Sequence, residues 1–547
     1  MCTTILVTKG ATFDGSTFVS HSDDDDIGDQ RLVRVPAADH PVGSMRPVYK
    51  CSTNYPRVVT DQLGPGYNTS EDHSEILGYI PQVEHTYAYF DGNYGIMNEH
   101  QLAMGECTDA AQKYGSEPTP GKRLFYSSSL SRVALERCKT AREAIKLMGS
   151  LIEEYGYYNT GETLLVADKE EGWVFEMCPT EDQGDLWVAQ RVPDGEVFVA
   201  ANEFRIRDID PDSDDFMYCS YLWDACEKIG WYNPKKGPLD WCETVSYGEY
   251  NHPYYSLRRV WSVFNRVNPK LKLSPWVEGP FTKDYPFSIK PAKALSLSDV
   301  KNLHRDQYEG TPFDMTKGLA AGPYGDPNRL YNYAYDGSTK DVVQPAKDLK
   351  GAWERPVSVY YCGYSFINHI RPHLPDAIGG VCWFGPDQPM STCYTAFYAG
   401  VLSVPESFQE INPAVYDSSK AFWKMNFVAN WARLNYELMI EDIKARQAEL
   451  EKVQEDQLEV MDNRALEILN TQPDKLKDFL TEFCNENASE VLSSWTDLAG
   501  YLIQKYASGF INNPNIATDV GYSKEWRDAV GYKNGPVSYK KPRKAKK

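Results

Sequence analysis

Hydrophobic and β-branched residues open the chain: Thr3-Thr4-Ile5-Leu6-Val7 runs extended, Asp14-Gly15 marks a turn, and Thr17-Phe18-Val19-Ser20 resumes the pattern. That order predicts a hairpin whose first residues lie inside a sheet. Chain ends ordinarily fray, so a terminus tied into a sheet is one able to carry chemistry. Further strands are expected over 86–90, 95–97, 102–106, 163–168, 172–177, 187–191 and 197–201. Between them the period changes. Residues 129–137 and 141–155 read as helices, the second with Ala144, Ile145, Met148 and Ile152 at three- and four-residue steps. Strands, two helices and strands again fit α+β layers better than the strict alternation of a doubly wound parallel sheet.

From 208 to 350 the chain is rich in Tyr, Trp and Pro, and only two helices emerge, at 253–268 and 296–308. A long helix is expected over 418–470, started by Asp417 or Ser418, supported by Glu441 with Lys444 and Glu449 with Lys452, and broken near Asp462-Asn463. Two more follow at 475–482 and 488–506. The expected organisation is an α+β unit over 1–410, a mainly helical region over 411–530 packed on it, and a basic, disordered tail over 531–547. No internal repeat is visible.

Composition narrows the function. A chain of 547 residues with 42% hydrophobic content folds independently, and 13% aromatics suit a rigidly packed enzyme. A formal charge of −20 repels phosphate backbones and anionic lipid, so no nucleic acid or membrane partner is expected. The tail is the exception: Lys540, Lys541, Arg543, Lys544, Lys546 and Lys547 crowd its end, read as a solvated segment rather than a nucleic-acid arm. The twelve cysteines form no CxxC pair, which points to free thiols in a reducing compartment. The start lacks a basic n-region and a long apolar stretch, and no run approaches the roughly 18 apolar residues of a membrane span. A cytoplasmic location is the expectation.

Cys2 is the residue with the most chemistry to offer. Removal of Met1 would leave its α-amine free, with a pKa of about 7.7–8.0 beside a thiol of about 8.5, so proton transfer between them is nearly thermoneutral. Cysteine at position 2 also arises by chance. The acidic run Asp23 to Asp26 fits an ammonium-attracting patch, with a solvated loop or a calcium site as competing readings; Asp25 and Asp26 are assigned to the loop. Metal-dependent hydrolysis finds little support. There is no HExxH motif, and His369 and His373 straddle Pro372, which disrupts a helix presenting both to one ion. His304-Arg305-Asp306 lacks the companions of a kinase catalytic loop. A noncatalytic binding protein is the third class, should Met1 be retained.

The opening Cys2-Thr3-Thr4-Ile5-Leu6-Val7, followed by Gly10 to Ser16 and Ser22-Asp23-Asp24, resembles that of the C69 dipeptidases, relatives of the bile salt and penicillin V amidases. Later blocks continue the resemblance to about residue 400: Tyr94 to His100 with Gly105-Glu106-Cys107-Thr108, Ala201 to Ile206, and Tyr308 to Asp314 with Ala321-Gly322-Pro323. It implies the αββα sandwich of N-terminal nucleophile hydrolases, with a helical C-terminal extension. Cys2 would be the nucleophile, Asp24 the holder of its amine, Asn202 the oxyanion donor, and Arg258, preferred to Arg259, the cation beside the thiol. Asp23, Asn98, Glu106 and Thr108 would meet the substrate, as would His21, which stands where relatives usually carry Arg and brings a group titrating near pH 6.5. The implied reaction is hydrolysis of dipeptides with a free N-terminus through a Cys2 thioester, by a homo-oligomer needing neither metal nor organic cofactor. Nonpeptide amides, such as a conjugated bile acid or an N-acyl amino acid, are the alternative substrates.

Overall fold

A computed structural model of the chain describes all residues except 26, 53, 71, 113–114, 251, 331–352 and 532–547. Asp26 and the basic run of the tail therefore lie outside the described residues. Two antiparallel sheets dominate. In the first, β1 (Cys2–Val7) sits between Val197–Ala200 and β2 (Thr17–Asp23), and β2 is paired on its far side with Tyr364–Ile370. Every residue of β1 and β2 is buried, because each strand has neighbours on both edges and a second sheet across one face. The hairpin register sets Cys2 opposite Asp23 and Thr4 opposite His21.

The second sheet has eight strands, with Ala103–Asp109 between Gly95–Asn98 and Gly161–Ala167. Its Ala103–Asp109 strand packs on β1 and β2. Gly105 makes that approach possible: a Cβ there would lie 2.6 Å from Thr4 Oγ1 and 3.2 Å from the Ser20 carbonyl. Helices cover both sheets. Helix α1 (Ser127–Arg137) packs against Gly95–Asn98, and α2 (Ala141–Tyr155), started by a Thr140–Glu143 capping box, against Gly161–Ala167 and Leu186–Val192. On the first sheet, Leu257–Val267 meets Val197–Ala200, and Leu297–His304 meets β2 and Tyr364–Ile370.

The long C-terminal helices depart from the sequence reading. Ala421–Ala432 ends in a short tight turn at Arg433–Asn435, and Tyr436–Thr471 then runs unbroken through 462–463. Tertiary contacts override the weak local signal there. Asp462 accepts from Tyr398 Oη at 2.7 Å and pairs with Arg371, while Asn463 donates to the Glu459 carbonyl one turn back. The two helices expected at 475–482 and 488–506 are one, Leu476–Lys505, and a hairpin absent from the sequence reading follows at Phe510–Asn513 and Ile516–Asp519. The strand expected at 86–90 is divided between His85–Thr86 and Tyr89–Asp91, which belong to different sheets. One continuous cluster of buried residues extends from Cys2 to Tyr506.

Gly105→Ala should overpack the inter-sheet contact and destabilise the fold by about 1–3 kcal/mol. Denaturant titration checks this, as a lower midpoint with an unchanged slope.

Candidate active site

Cys2 lies at the open end of the β1–β2 hairpin and is 1% exposed. Its thiol donates to Glu106 Oε2 at 3.2 Å, and Thr108 Oγ1 donates to the other oxygen, Oε1, at 2.9 Å. Burial, then the Glu106 charge, push the Cys2 thiol well above the usual cysteine range. Glu106 is held in place through its backbone. The Gly95–Asn98 strand pairs with Ala103–Asp109 only at Met97 and Ala103, so the Glu106 N–H is free to donate to His21 Nδ1 at 2.9 Å.

That bond fixes the chemistry of His21. With the Nδ1 lone pair engaged, the neutral ring carries its proton on Nε2, which faces Glu106 Oε2 at 3.9 Å. Burial lowers the His21 pKa to about 4 in spite of the Glu106 and Asp24 charges. The expectation of a group titrating near pH 6.5 is thus replaced by an imidazole that stays neutral at physiological pH. The same bond bears on metal binding. Cys2, His21 and Glu106 offer sulfur, nitrogen and oxygen atoms all within 4.8 Å of one another. A ring nitrogen ligates only through a free lone pair, however, and the nitrogen turned toward the other two donors is the protonated one. As arranged, the trio does not fit a metal ion.

Around the backbone of Cys2 the cation is Arg259. Its Nη1 donates to the Cys2 carbonyl at 2.7 Å and to Thr3 Oγ1 at 2.9 Å, its Nη2 to the Ala201 carbonyl at 3.0 Å and Asn202 Oδ1 at 2.8 Å, and its Nε to the Tyr255 carbonyl at 3.1 Å. Adjacent helical residues point about 100° apart, so only one of the two arginines can face the strand. Arg258, favoured by the sequence reading, turns the other way. It pairs with Glu354 and packs under Phe313, Tyr254 and Trp276, with ring centroids 3.5, 4.3 and 4.9 Å from its guanidinium carbon.

Asn202 is brought to the site, in a left-handed conformation (φ 63°) that Asn tolerates better than most residues. Its Nδ2 donates to the Thr108 carbonyl at 2.6 Å and its backbone N–H to Cys107 Sγ at 2.9 Å. Asp24 is also close: its carboxylate pairs with Arg355, accepts from Ser22 Oγ at 3.3 Å, and keeps Oδ1 buried without a partner. The terminal ammonium of Met1 donates to the Asp24 carbonyl at 3.3 Å. Burial pulls that ammonium down, but the Cys2, Tyr255, Asp23 and Asp24 charges together hold it well above the usual α-amine range. Asp23 itself is raised to about 7, by burial and then by Asp25.

Asn98 is not brought to the site. Its Nδ2 donates to the Leu135 and Cys138 carbonyls at the end of α1, and its Oδ1 accepts from the His100 and Leu102 amides, so no part of its amide is left for a ligand. Arg355 was missed by the sequence reading. It joins Asp24 to the Met1 carbonyl from an irregular stretch in which no periodicity marks it. The Met1 Sδ accepts from the Tyr255 hydroxyl at 2.6 Å. A cleft of about 840 Å³ lined by residues such as Glu309, Glu437 and Trp526 lies elsewhere and shares no residue with this site.

The sequence profile of peptidase family C69 matches residues 1–449. The chain belongs to peptidase family C69. Similar proteins include one named "Probable dipeptidase" from Salmonella dublin, 27% identical over 73% of this chain and 81% of its own length. Dipeptidase A of Lactobacillus helveticus is 24% identical over 92% of this chain and 96% of its own length, and a dipeptidase of Bifidobacterium longum 23% identical over 78% and 76%. By family the chain is a peptidase.

Arg259→Lys should lower kcat/KM by about 100-fold, since three donors on a flexible stem cannot replace a five-donor fork that holds the Cys2 and Ala201 carbonyls together. Arg258→Lys should cost less than about tenfold. Steady-state kinetics on the two variants decides between them.

Proposed function

We propose that this family C69 protein is a cysteine dipeptidase. Dipeptides with a free N-terminus would be cleaved through a thioester on Cys2, in the four-layer αββα fold of N-terminal nucleophile hydrolases. The observation that carries the proposal is the convergence on Cys2, at the head of an internal strand, of a thiol partner (Glu106), a guanidinium fork (Arg259), an amide (Asn202) and a carboxylate (Asp24). The relatives named dipeptidases support the substrate class.

Loss of Met1 would turn the Cys2 nitrogen into an α-amine beside Asp23 and Asp24. In this reading the Cys2 thiolate attacks the peptide carbonyl, Asn202 stabilises the oxyanion, the C–N bond breaks, and water releases the acid from the thioester. The α-amine is the base of the cycle. Buried acids beside the nucleophile favour a substrate ammonium over an acylated nitrogen, which supports dipeptides over conjugated bile acids and N-acyl amino acids. The His21 tautomer argues against the metal-dependent alternative. No helix among the described residues is long and apolar enough to cross a membrane. The free state of every described cysteine and the formal charge of −20 support a cytoplasmic enzyme acting on small peptides. Assembly into a homo-oligomer is part of the proposal.

Cys2→Ala should reduce dipeptide turnover by roughly 10³-fold or more while leaving the melting temperature nearly unchanged, and the active wild type should have an intact mass lacking one Met. Turnover that survives the substitution, or vanishes with a chelator alone, overturns the proposal.

With Asp23 near 7, its carboxylate is ionised above that pH and neutral below it. KM for a free dipeptide should therefore rise as pH falls through about 7, and Asp23→Asn should flatten that rise. An N-acetylated dipeptide should be a poor substrate throughout, losing a charge-assisted bond of about 1.5–3 kcal/mol. Initial-rate kinetics across pH checks both.

A further inference from the structure

Cys2, Asp23 and Tyr364 stand opposite one another on three adjacent strands. Directly paired residues of antiparallel strands project their side chains to the same face, so the thiol, the carboxyl and the phenol form one row. Asn93 meets the end of that row: its backbone N–H donates to Tyr364 Oη at 3.1 Å, and its Oδ1 accepts from Arg57 Nε. Arg57 is thereby held beside the row, its guanidinium over the rings of Tyr94 and Tyr126, with centroids 4.7 and 5.7 Å from Cζ. Tyr94 in turn borders His21, with ring centroids 5.9 Å apart.

Arg57 is anchored twice, by Nε and by its backbone N–H, which donates to Asp29 Oδ2 at 3.3 Å. Its fork is left over. Among the described residues neither Nη nitrogen makes a hydrogen bond or an ion pair, although Arg57 is only 4% exposed. Arg259 and Arg355, by contrast, direct their forks to backbone carbonyls and to Asn202 and Asp24. Asp23 is the counterpart of Arg57: it too is 4% exposed, and among the described residues its carboxyl has no hydrogen bond or ion pair. Burial and then Asp25 raise that carboxyl, and Arg57 is among the cations that pull it back, yet the two side chains do not pair. A buried charge without a partner is costly. Two opposite charges held apart beside one thiol suit a ligand that carries both charges itself.

We propose that Arg57 binds the C-terminal carboxylate of the substrate while Asp23 takes its N-terminal ammonium, so that the two charges restrict the enzyme to dipeptides. The inference rests on Cys2 being the nucleophile of a dipeptidase. Two residues of extended chain span at most about 7 Å, and a third would carry the carboxylate about 3.5 Å further. Anchors at both ends therefore count residues, which an acid at one end cannot do. A guanidinium with both Nη nitrogens free offers parallel N–H donors to a carboxylate, and the two tyrosine rings hold its plane.

Initial-rate kinetics on the Met1-free enzyme test this with three substrates: a dipeptide, the same dipeptide as its C-terminal amide, and the tripeptide one residue longer. The wild type should favour the dipeptide over both others by roughly 10–100-fold in kcat/KM, with most of the difference in KM. Equal use of the dipeptide and its amide overturns the inference without recourse to a variant. Arg57→Met should raise KM for the dipeptide by a similar factor and erase its preference over the amide, and Arg57→Lys should keep part of that preference. A variant that turns over both more slowly yet still prefers the free carboxylate has lost structure alone, and that result also overturns the inference. Failure of the underlying reading is separate: the wild type would then cleave none of the three and carry no acyl adduct on Cys2.

Discussion

The site depends on the pairing of β1 on both edges at once. A strand that begins at residue 2 keeps its place only because Val197–Ala200 and β2 satisfy its backbone on either side and the second sheet covers its face. In the β1–β2 register, Cys2 and Asp23 arrive together, and a slip of one residue would send the thiol to the opposite face. Hydrogen bonding along the strand, more than any side chain, gives the Cys2 sulfur a fixed address. Gly105 extends the same constraint across the inter-sheet space.

Within that frame the electrostatics are those of a dry site with few cations and many acids. Arg259 and Arg355 supply fixed positive charge at the Cys2 and Met1 carbonyls, and His21 contributes only a lone pair and a dipole. Glu106, Glu162 and Asp109 avoid mutual repulsion by remaining protonated except where a donor favours the charge. A buried carboxylate beside a thiol raises the cost of thiolate, so the resting sulfur is a neutral S–H and becomes reactive when its proton has somewhere to go.

Much of this was legible in the order of residues. The opening hairpin, α2 with its spacing, and the strands near 163–177 follow from periods that local physics enforces. What was hidden depends on rotation and on distant partners. Arg258 and Arg259 are adjacent letters, and which one faces β1 is set by how the Leu257–Val267 helix beds against Val197–Ala200. Asn98 sits in a block that resembles the family's, yet its amide is absorbed by the end of α1, a contact with no trace in spacing. Arg355 lies in an irregular stretch where periodicity is silent. The break expected at 462–463 failed because Asp462 has partners more than sixty residues away.

The Arg259 fork has a consequence for how the protein can vary. Four of its five bonds involve the segments at Cys2, Thr3, Ala201 and Asn202, and three of its acceptors are main-chain carbonyls, which every residue type possesses. The side chain at position 201 supplies none of these bonds, whereas the Tyr255 ring lies against the guanidinium, its centroid 4.9 Å from Cζ. The guanidinium has no such redundancy. Its plane sets the separation of three backbone segments at once, so a single codon holds the tolerance of the whole corner around Cys2.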